Sequence, residues 1–175
     1  MSELFSFYLQ AGRVDVGFLE AAQVDRFGNL NSTVIGPYAV PHVRLPGSGG
    51  ACDIATLAQR VVITMPHRRR GFPERVDFIT SPGFLRGRQE RVGLHLLGSG
   101  PSIVITDMGV LEFDEDGEMI LVAVHPGSSV EQIQANTGWQ LKVAEPLRNT
   151  PLPLPEDIAM LRSLDSEGVH LRRGY

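Results

Sequence analysis

The chain has 175 residues, of which 42% are hydrophobic, enough for one domain with a sizeable core and no reason to expect a second. With 20 acidic against 16 basic residues the formal charge is -4, which excludes the broad basic field that nucleic-acid binding requires. The single cysteine, Cys52, admits neither an internal disulfide nor a thiolate zinc site, and no apolar run approaches the ~18 residues of a membrane span.

The start, MSELFSFYLQ, lacks the basic n-region and small-residue cleavage site of a signal peptide, so a soluble protein of a reducing, cytoplasmic compartment is expected. Leu4, Phe5, Phe7, Tyr8 and Leu9 predict a helical stub within residues 1–12, stopped by Gly12 at positive φ. Val14, Val16, Phe18, Ala21, Ala22 and Val24 form a nearly continuous apolar run, interrupted by Glu20, that reads as a strand covered on both faces. A Gly28-Asn29 turn then reverses the chain into Leu30 to Ile35.

Pro46-Gly47-Ser48-Gly49-Gly50 leads into Ala51, Ile54, Ala55, Leu57 and Ala58, which have helical spacing. RVVITM at 60–65, RVDFIT at 75–80, PSIVITD at 101–107 and EMILVAV at 118–124 read as strands, with Asp114 to Gly117 as a hairpin turn. Ser128 and Glu131 have the spacing of a capping box opening a helix that Gly138 stops. Three prolines, Pro151, Pro153 and Pro155, precede a final helix, and the polar tail 166–175 is expected to fray. Strands alternating with short helices predict an α/β domain with a mainly parallel sheet flanked by helices and some antiparallel hairpin character, spanning 1–175, with 146–175 as a C-terminal extension.

The glycine cluster at 47–50 is the first chemical feature. Bare backbone permits positive φ and close ligand approach, and successive free N–H groups form an anion-binding nest. It is neither a phosphate-binding Walker loop, since no Gly-Lys-Ser/Thr follows, nor a dinucleotide fingerprint, and Ser48 does not sit in G-x-S-x-G. Taken alone, it reads first as a strand-to-helix turn.

Five blocks in order change that reading: AAQVDRFGNLNSTVIG, RLPGSGGACDIA, RVVITMPHRRRGFPERVDFITSPGFL, VITDMGVLEFDEDGEM and VHPGSSVEQIQANTGW. Together they resemble the β subunit of family I CoA-transferases, most closely the glutaconate type, over roughly residues 14 to 145. The resemblance implies a fold of the CoA-transferase superfamily, a hetero-oligomer with an α subunit, and transfer of CoA between an acyl-CoA and a carboxylic acid. Coenzyme A is then a substrate thioester, and no permanently bound cofactor or metal is expected.

By the same resemblance Gly49 and Gly50 present amides to the oxyanion and the thioester, with Gly47, Ser48, Ala51, Gln23 and Asn31 as substrate-binding candidates. The nucleophilic glutamate of related β subunits lies upstream of the strand matching GFLEAAQVD, so this chain is expected to lack it and to be inactive alone, being either part of a longer protein or a shortened subunit. A CoA-ester ring-opening hydrolase of the same family and a scaffold completing a partner's site are the alternatives.

The other polar residues read more plainly. Glu20 reads as a solvated strand-end acid rather than a substitute nucleophile. Asn29 and Asp25 read as turn residues, whereas Asn31 stands evenly between turn and ligand. His67, Arg68, Arg69, Arg70, Arg75, Arg86, Arg88 and Arg91 read as a solvated or interface run before they read as a CoA-phosphate site. His42, His95, His125 and His170 have no metal-ligand spacing, FDEDGEM is no full calcium loop, and Cys52 stays unassigned although a thiol at a helix start can be acidified.

Overall fold

A computed structural model describes residues 3–168. Its centre is a six-stranded sheet of β1 (Val16–Leu19), β6 (Arg60–Thr64), β7 (Pro101–Ile105), β8 (Gly109–Phe113), β9 (Met119–Val124) and β10 (Lys142–Asn149), adjacent in that order. β1, β6 and β7 pair in parallel, as do β9 and β10, while β8 runs antiparallel to both neighbours. The predicted α/β class with a mainly parallel sheet and an antiparallel hairpin is the observed one. The Asp114 to Gly117 turn closes the β8–β9 hairpin through the Gly117 amide, 3.0 Å from the Asp114 carbonyl.

Two small ribbons are formed by the chain that connects β1 to β6. β2 (Gln23–Val24) pairs antiparallel with β3 (Leu30–Asn31), and β4 (Val34–Ile35) with β5 (Val43–Arg44). Helix α1 (Ala51–Leu57) follows the glycine loop and packs on β1, where a Cβ at Gly17 would lie 2.3 Å from Ile54 Cγ2. Only glycine permits that approach. The remaining helices are a π-helix at Leu4–Leu9, a 3₁₀ turn at Arg69–Gly71, α2 (Arg88–Gly93), α3 (Val130–Ala135) and α4 (Pro155–Leu164). Gly12 takes φ +68 after the N-terminal helix, and Pro155 occupies the first turn of α4, as expected. Of the polar tail only residues 166–168 are described, and His170 lies outside the described residues.

Several expectations are corrected. β1 is an edge strand and Phe18 is 69% exposed, so only the face bearing Leu19 is covered by its own chain. RVDFIT forms no strand: the amides of Thr80 and Ser81 both donate to the Leu30 carbonyl, and the exposed Asp77 carboxylate accepts from Gln23 Nε2 and the Gly36 amide. The capping box sits one residue later, with Ser129 and Gln132, because the Ser128 amide is held by the His125 carbonyl in the preceding turn. Gly138 is not the helix stop. Its amide donates to Phe72 O at 2.7 Å, and a Cβ there would lie 2.6 Å from that oxygen. Helix α2 and strand β10 had no prediction, and β10 runs through position 146, where the C-terminal extension was expected to begin.

Helix α4 has no buried residue, and Leu152, Leu154, Met160, Leu161 and Leu164 stand exposed in and just before it. The core lies instead on the central sheet, with Val61, Ile63, Val104, Leu111, Leu121 and Ile133 fully enclosed.

Two buried polar side chains hold the layers together. Arg91, 4% exposed, directs its guanidinium at four backbone carbonyls: Nε and Nη2 to Gly98, Nη1 to Pro82 and Gly83, and Nη2 to Ala55 in α1. His67 is fully buried and stacks on Phe72 at 4.0 Å, with Nε2 3.0 Å from the Thr137 hydroxyl. Burial pushes its imidazole down to about 4, against the opposing attraction of Asp107.

Both arrangements make stability testable. Arg91→Met removes the shared partner of four carbonyls and is expected to cost at least about 3 kcal/mol, read as a lowered urea midpoint, with Arg91→Lys recovering part of the loss at most. Because His67 titrates lower in the folded chain (about 4) than its ordinary 6.5, the unfolded chain binds more protons between those values. Stability is therefore expected to fall on acidification from pH 6.5 towards 4, by up to about 3 kcal/mol from this residue. His67→Gln should flatten that part of the profile when urea midpoints are compared at pH 7 and pH 4.5.

Candidate functional site

The hairpin of β4 and β5 delivers the glycine loop. Leu45 donates its amide to Thr33 O at 2.9 Å, Gly47 donates to Ser32 O at 2.8 Å, and the Ser32 hydroxyl returns a bond to Gly47 O at 2.9 Å. Ser48 closes the turn: its carbonyl accepts the Ala51 amide at 2.9 Å and its hydroxyl the Cys52 amide at 3.1 Å. Gly47 and Gly49 take φ +92 and +50, in the left-handed region that favours glycine.

Among the described residues no acceptor pairs with the amides of Gly49 and Gly50. Gly49 is exposed, with nothing within 4 Å of a Cβ placed on it. Gly50 lies under Phe5, whose Cζ would be 2.3 Å from such a Cβ. Among the described residues the loop therefore keeps three free donors, the amides of Ser48, Gly49 and Gly50, after those of Gly47, Ala51 and Cys52 are satisfied.

Gln23 and Asn31 are placed differently from the glycines. Asn31 is wholly buried; Nδ2 donates to Gln23 Oε1 at 2.7 Å and Val34 O at 2.6 Å, while Oδ1 accepts the Thr33 and Val34 amides. All four of its hydrogen-bonding capacities are filled. Gln23 is buried too, paired with Asn31 and through Nε2 with Asp77 at 3.0 Å. In this structure they brace the ribbons that carry the glycine loop.

Asn29 and Asp25 are likewise turn residues. Asn29 Oδ1 accepts the Gly83 and Leu85 amides and its Nδ2 donates to Asp25, whose pKa burial raises despite the hydrogen bonds from Asn29 and Phe27.

α1 runs back against the parallel strands, which sets the glycine loop at the same edge as the carboxyl ends of β1, β6 and β7. That edge is where open α/β sheets bind ligands. An open cleft of about 380 Å³ lies there, lined by Glu20, Thr64, Met65, Pro66, Arg68, Ile105, Thr106 and Asp107. None of the glycine-loop residues is in that lining. Glu20 is exposed, as its reading as a solvated strand-end acid requires.

Across the cleft Asp107 accepts the His67 amide at 2.7 Å and Arg68 Nη1 at 2.7 Å. Burial opposes its ionisation, but these bonds outweigh it and leave the carboxyl below its usual range. Thr64, Ile105, Thr106 and Asp107 were not singled out from the sequence, and their signal is positional: they end the two strands RVVITM and PSIVITD.

The arginine run divides by role. Arg91 is structural, Arg69 donates to Thr137 O at 2.6 Å, and Arg88 covers the Phe84 ring at 4.3 Å while reaching Asp114 O and Glu115 O. Arg70, Arg75 and Arg86 are all exposed. The Cys52 thiol is not acidified by the helix start. Burial, with the neighbouring Asp53 carboxylate, pushes its pKa up. Among the described residues no group of three or more His, Cys, Asp or Glu could hold a metal ion, and no helix is long and apolar enough to cross a membrane.

The family model for coenzyme A transferase matches residues 2–136. The chain is 46% identical over 165 residues to the β-type subunit of 3-oxoadipate CoA-transferase from Pseudomonas knackmussii, covering 94% of this chain and 64% of that protein. It is 41% identical over 157 residues to the β-type subunit of glutaconate CoA-transferase from Acidaminococcus fermentans, covering 89% of this chain and 58% of the relative. The crystal structure of glutaconate coenzyme A-transferase from that organism superposes with a TM-score of 0.88 at 38% identity, covering 98% of this chain and 68% of that one. The chain thus spans about three fifths of the length of these curated relatives. With the family model matched over most of the sequence and the same fold in a solved relative, the chain belongs to the coenzyme A transferase family.

Proposed function

We propose that the chain acts as the β subunit, or as part of one, of a heteromeric CoA-transferase that moves CoA between an acyl-CoA and a carboxylic acid and requires an α partner. Support comes from the family membership and from two relatives named as the corresponding subunits of such enzymes. The observation that carries the reading is the pair of unoccupied amides at Gly49 and Gly50 on an open loop.

Acyl transfer from a thioester passes through tetrahedral intermediates in which the former carbonyl oxygen bears negative charge. Fixed N–H donors lower that barrier because they are oriented before the charge appears. Ser32 and Ser48 hold the loop at both ends, so its donors need little rearrangement when charge develops. A carboxylate nucleophile suits the chemistry, since an acyl anhydride preserves the activation of the thioester for the next acceptor. No residue of this chain is assigned that role. Glu20 keeps the part of a solvated acid at the rim of the cleft, and Gln23 and Asn31 support the loop from beneath.

The test is co-purification with the α subunit of a 3-oxoadipate- or glutaconate-type enzyme, followed by exchange of a labelled carboxylate into acyl-CoA. Gly49→Val meets no neighbouring atom but strains a backbone held at φ +50, so the loop amides should shift and kcat fall about 100-fold in a complex that still co-purifies. Full turnover by an assembled Gly49→Val complex would remove the loop from the mechanism. Release of free CoA thiol without an acceptor acid would instead identify a hydrolase, and a complex whose turnover is indifferent to this chain would make it a scaffold.

A further inference from the structure

Acyl thioesters react with amines and thiols as well as with carboxylates. A neutral amine attacks the thioester carbonyl, the carbon–sulfur bond breaks, and CoA leaves as a thiolate that takes up the proton shed by nitrogen. The product is an amide, which unlike a thioester no longer transfers its acyl group readily. Only the unprotonated nitrogen has the lone pair for this step, so an ammonium held in its charged form is protected.

These 175 residues contain one lysine, Lys142, against 15 arginines, and one cysteine. Arginine stays protonated and is no competitor. Lys142 opens β10, and its Nζ lies 2.7 Å from Asp114 Oδ2 and 2.8 Å from Glu118 Oε2.

Both carboxylates have partners besides the lysine. Asp114 Oδ1 accepts the amides of Asp116 and Glu118 in the β8–β9 turn, and the largely buried Glu118 is also bonded by Arg26. Accepting bonds from Nζ, Asp114 and Glu118 raise the lysine pKa above its ordinary value. The one thiol is also disfavoured as a thiolate, by its partial burial and by Asp53.

We propose that the chain withholds its side-chain amine from acyl thioesters, and that the Asp114–Lys142–Glu118 cluster is the device that keeps Lys142 from being acylated. The use of such a device rests on the acyl-CoA reading above; the shielding itself does not.

The experiment is pulse acylation of the full chain with succinyl-CoA at pH 8, with modified sites quantified by peptide mass spectrometry. An Arg70→Lys variant supplies an exposed reference lysine away from the cluster. In the folded chain Lys142 should be acylated about tenfold more slowly than this reference, because its ammonium is held between two carboxylates. In urea the two rates should converge. Asp114→Asn combined with Glu118→Gln should bring the folded rates within about twofold.

Equal rates in the folded chain with the cluster intact would overturn the proposal. So would slow acylation of Lys142 that persists in urea, because the protection would then not come from the fold. If the double variant does not fold, the folded-against-urea comparison on the intact cluster still decides. Failure of CoA exchange in the co-purified complex leaves these rates unchanged, so the two readings fail separately.

Discussion

A guanidinium with no carboxylate paired to it among the described residues is the joint on which this fold turns. Arg91 satisfies carbonyls from α1, from the 82–83 loop and from Gly98 at once, so one side chain fixes three segments far apart in sequence. Ala55 O lies in the last turn of α1, where carbonyls have no partner within the helix. A positive charge there meets both the missing hydrogen bonds and the negative end of the helix. By seating the end of α1, Arg91 also sets where that helix begins, and hence where the glycine loop stands.

The loop is supported in the same manner from its other side. Asn31 and Gln23 form a closed polar cluster with Asp77 and the backbone around Val34, and Ser32 and Thr33 tie that cluster to Thr80 and Gly47. Buried polar groups stabilise such a loop only when every donor and acceptor is met, because an unmet one inside the fold is costly. Here the interior members are met, and among the described residues the loop amides left without partners are those of Ser48, Gly49 and Gly50 beyond them. Rigidity beneath and free donors above is the combination that oxyanion stabilisation requires.

Charge is handled conservatively around the sheet. Asp107 neutralises Arg68 while bonding the His67 amide, and the network of Glu74, Arg26, Glu118, Lys142 and Asp114 joins the β2–β3 hairpin to the β8–β9 turn. Partly exposed pairs of this kind contribute little stability individually. Their effect lies more in orientation and in protonation state. His67, by contrast, lies just behind the cleft lining as a neutral ring packed against Phe72.

Local sequence was sufficient for the features that depend on local forces. Gly12 at positive φ, Pro155 at the start of α4, the β8–β9 turn and the helix after the glycine cluster follow from steric limits and short-range hydrogen bonding. The order of short motifs likewise pointed to the family. Packing decided the rest. RVDFIT has the composition of a strand, yet Asp77 and Thr80 bind elsewhere and leave it as a loop, while Phe18 belongs to an apolar run but lies on an edge that its own chain does not cover. The burial of Gln23, Asn31 and Arg91, and the cleft at the ends of β1, β6 and β7, arise from residues dozens of positions apart meeting in space. A one-dimensional pattern contains no term for those meetings, since the energy of a buried polar group depends on which distant partners surround it.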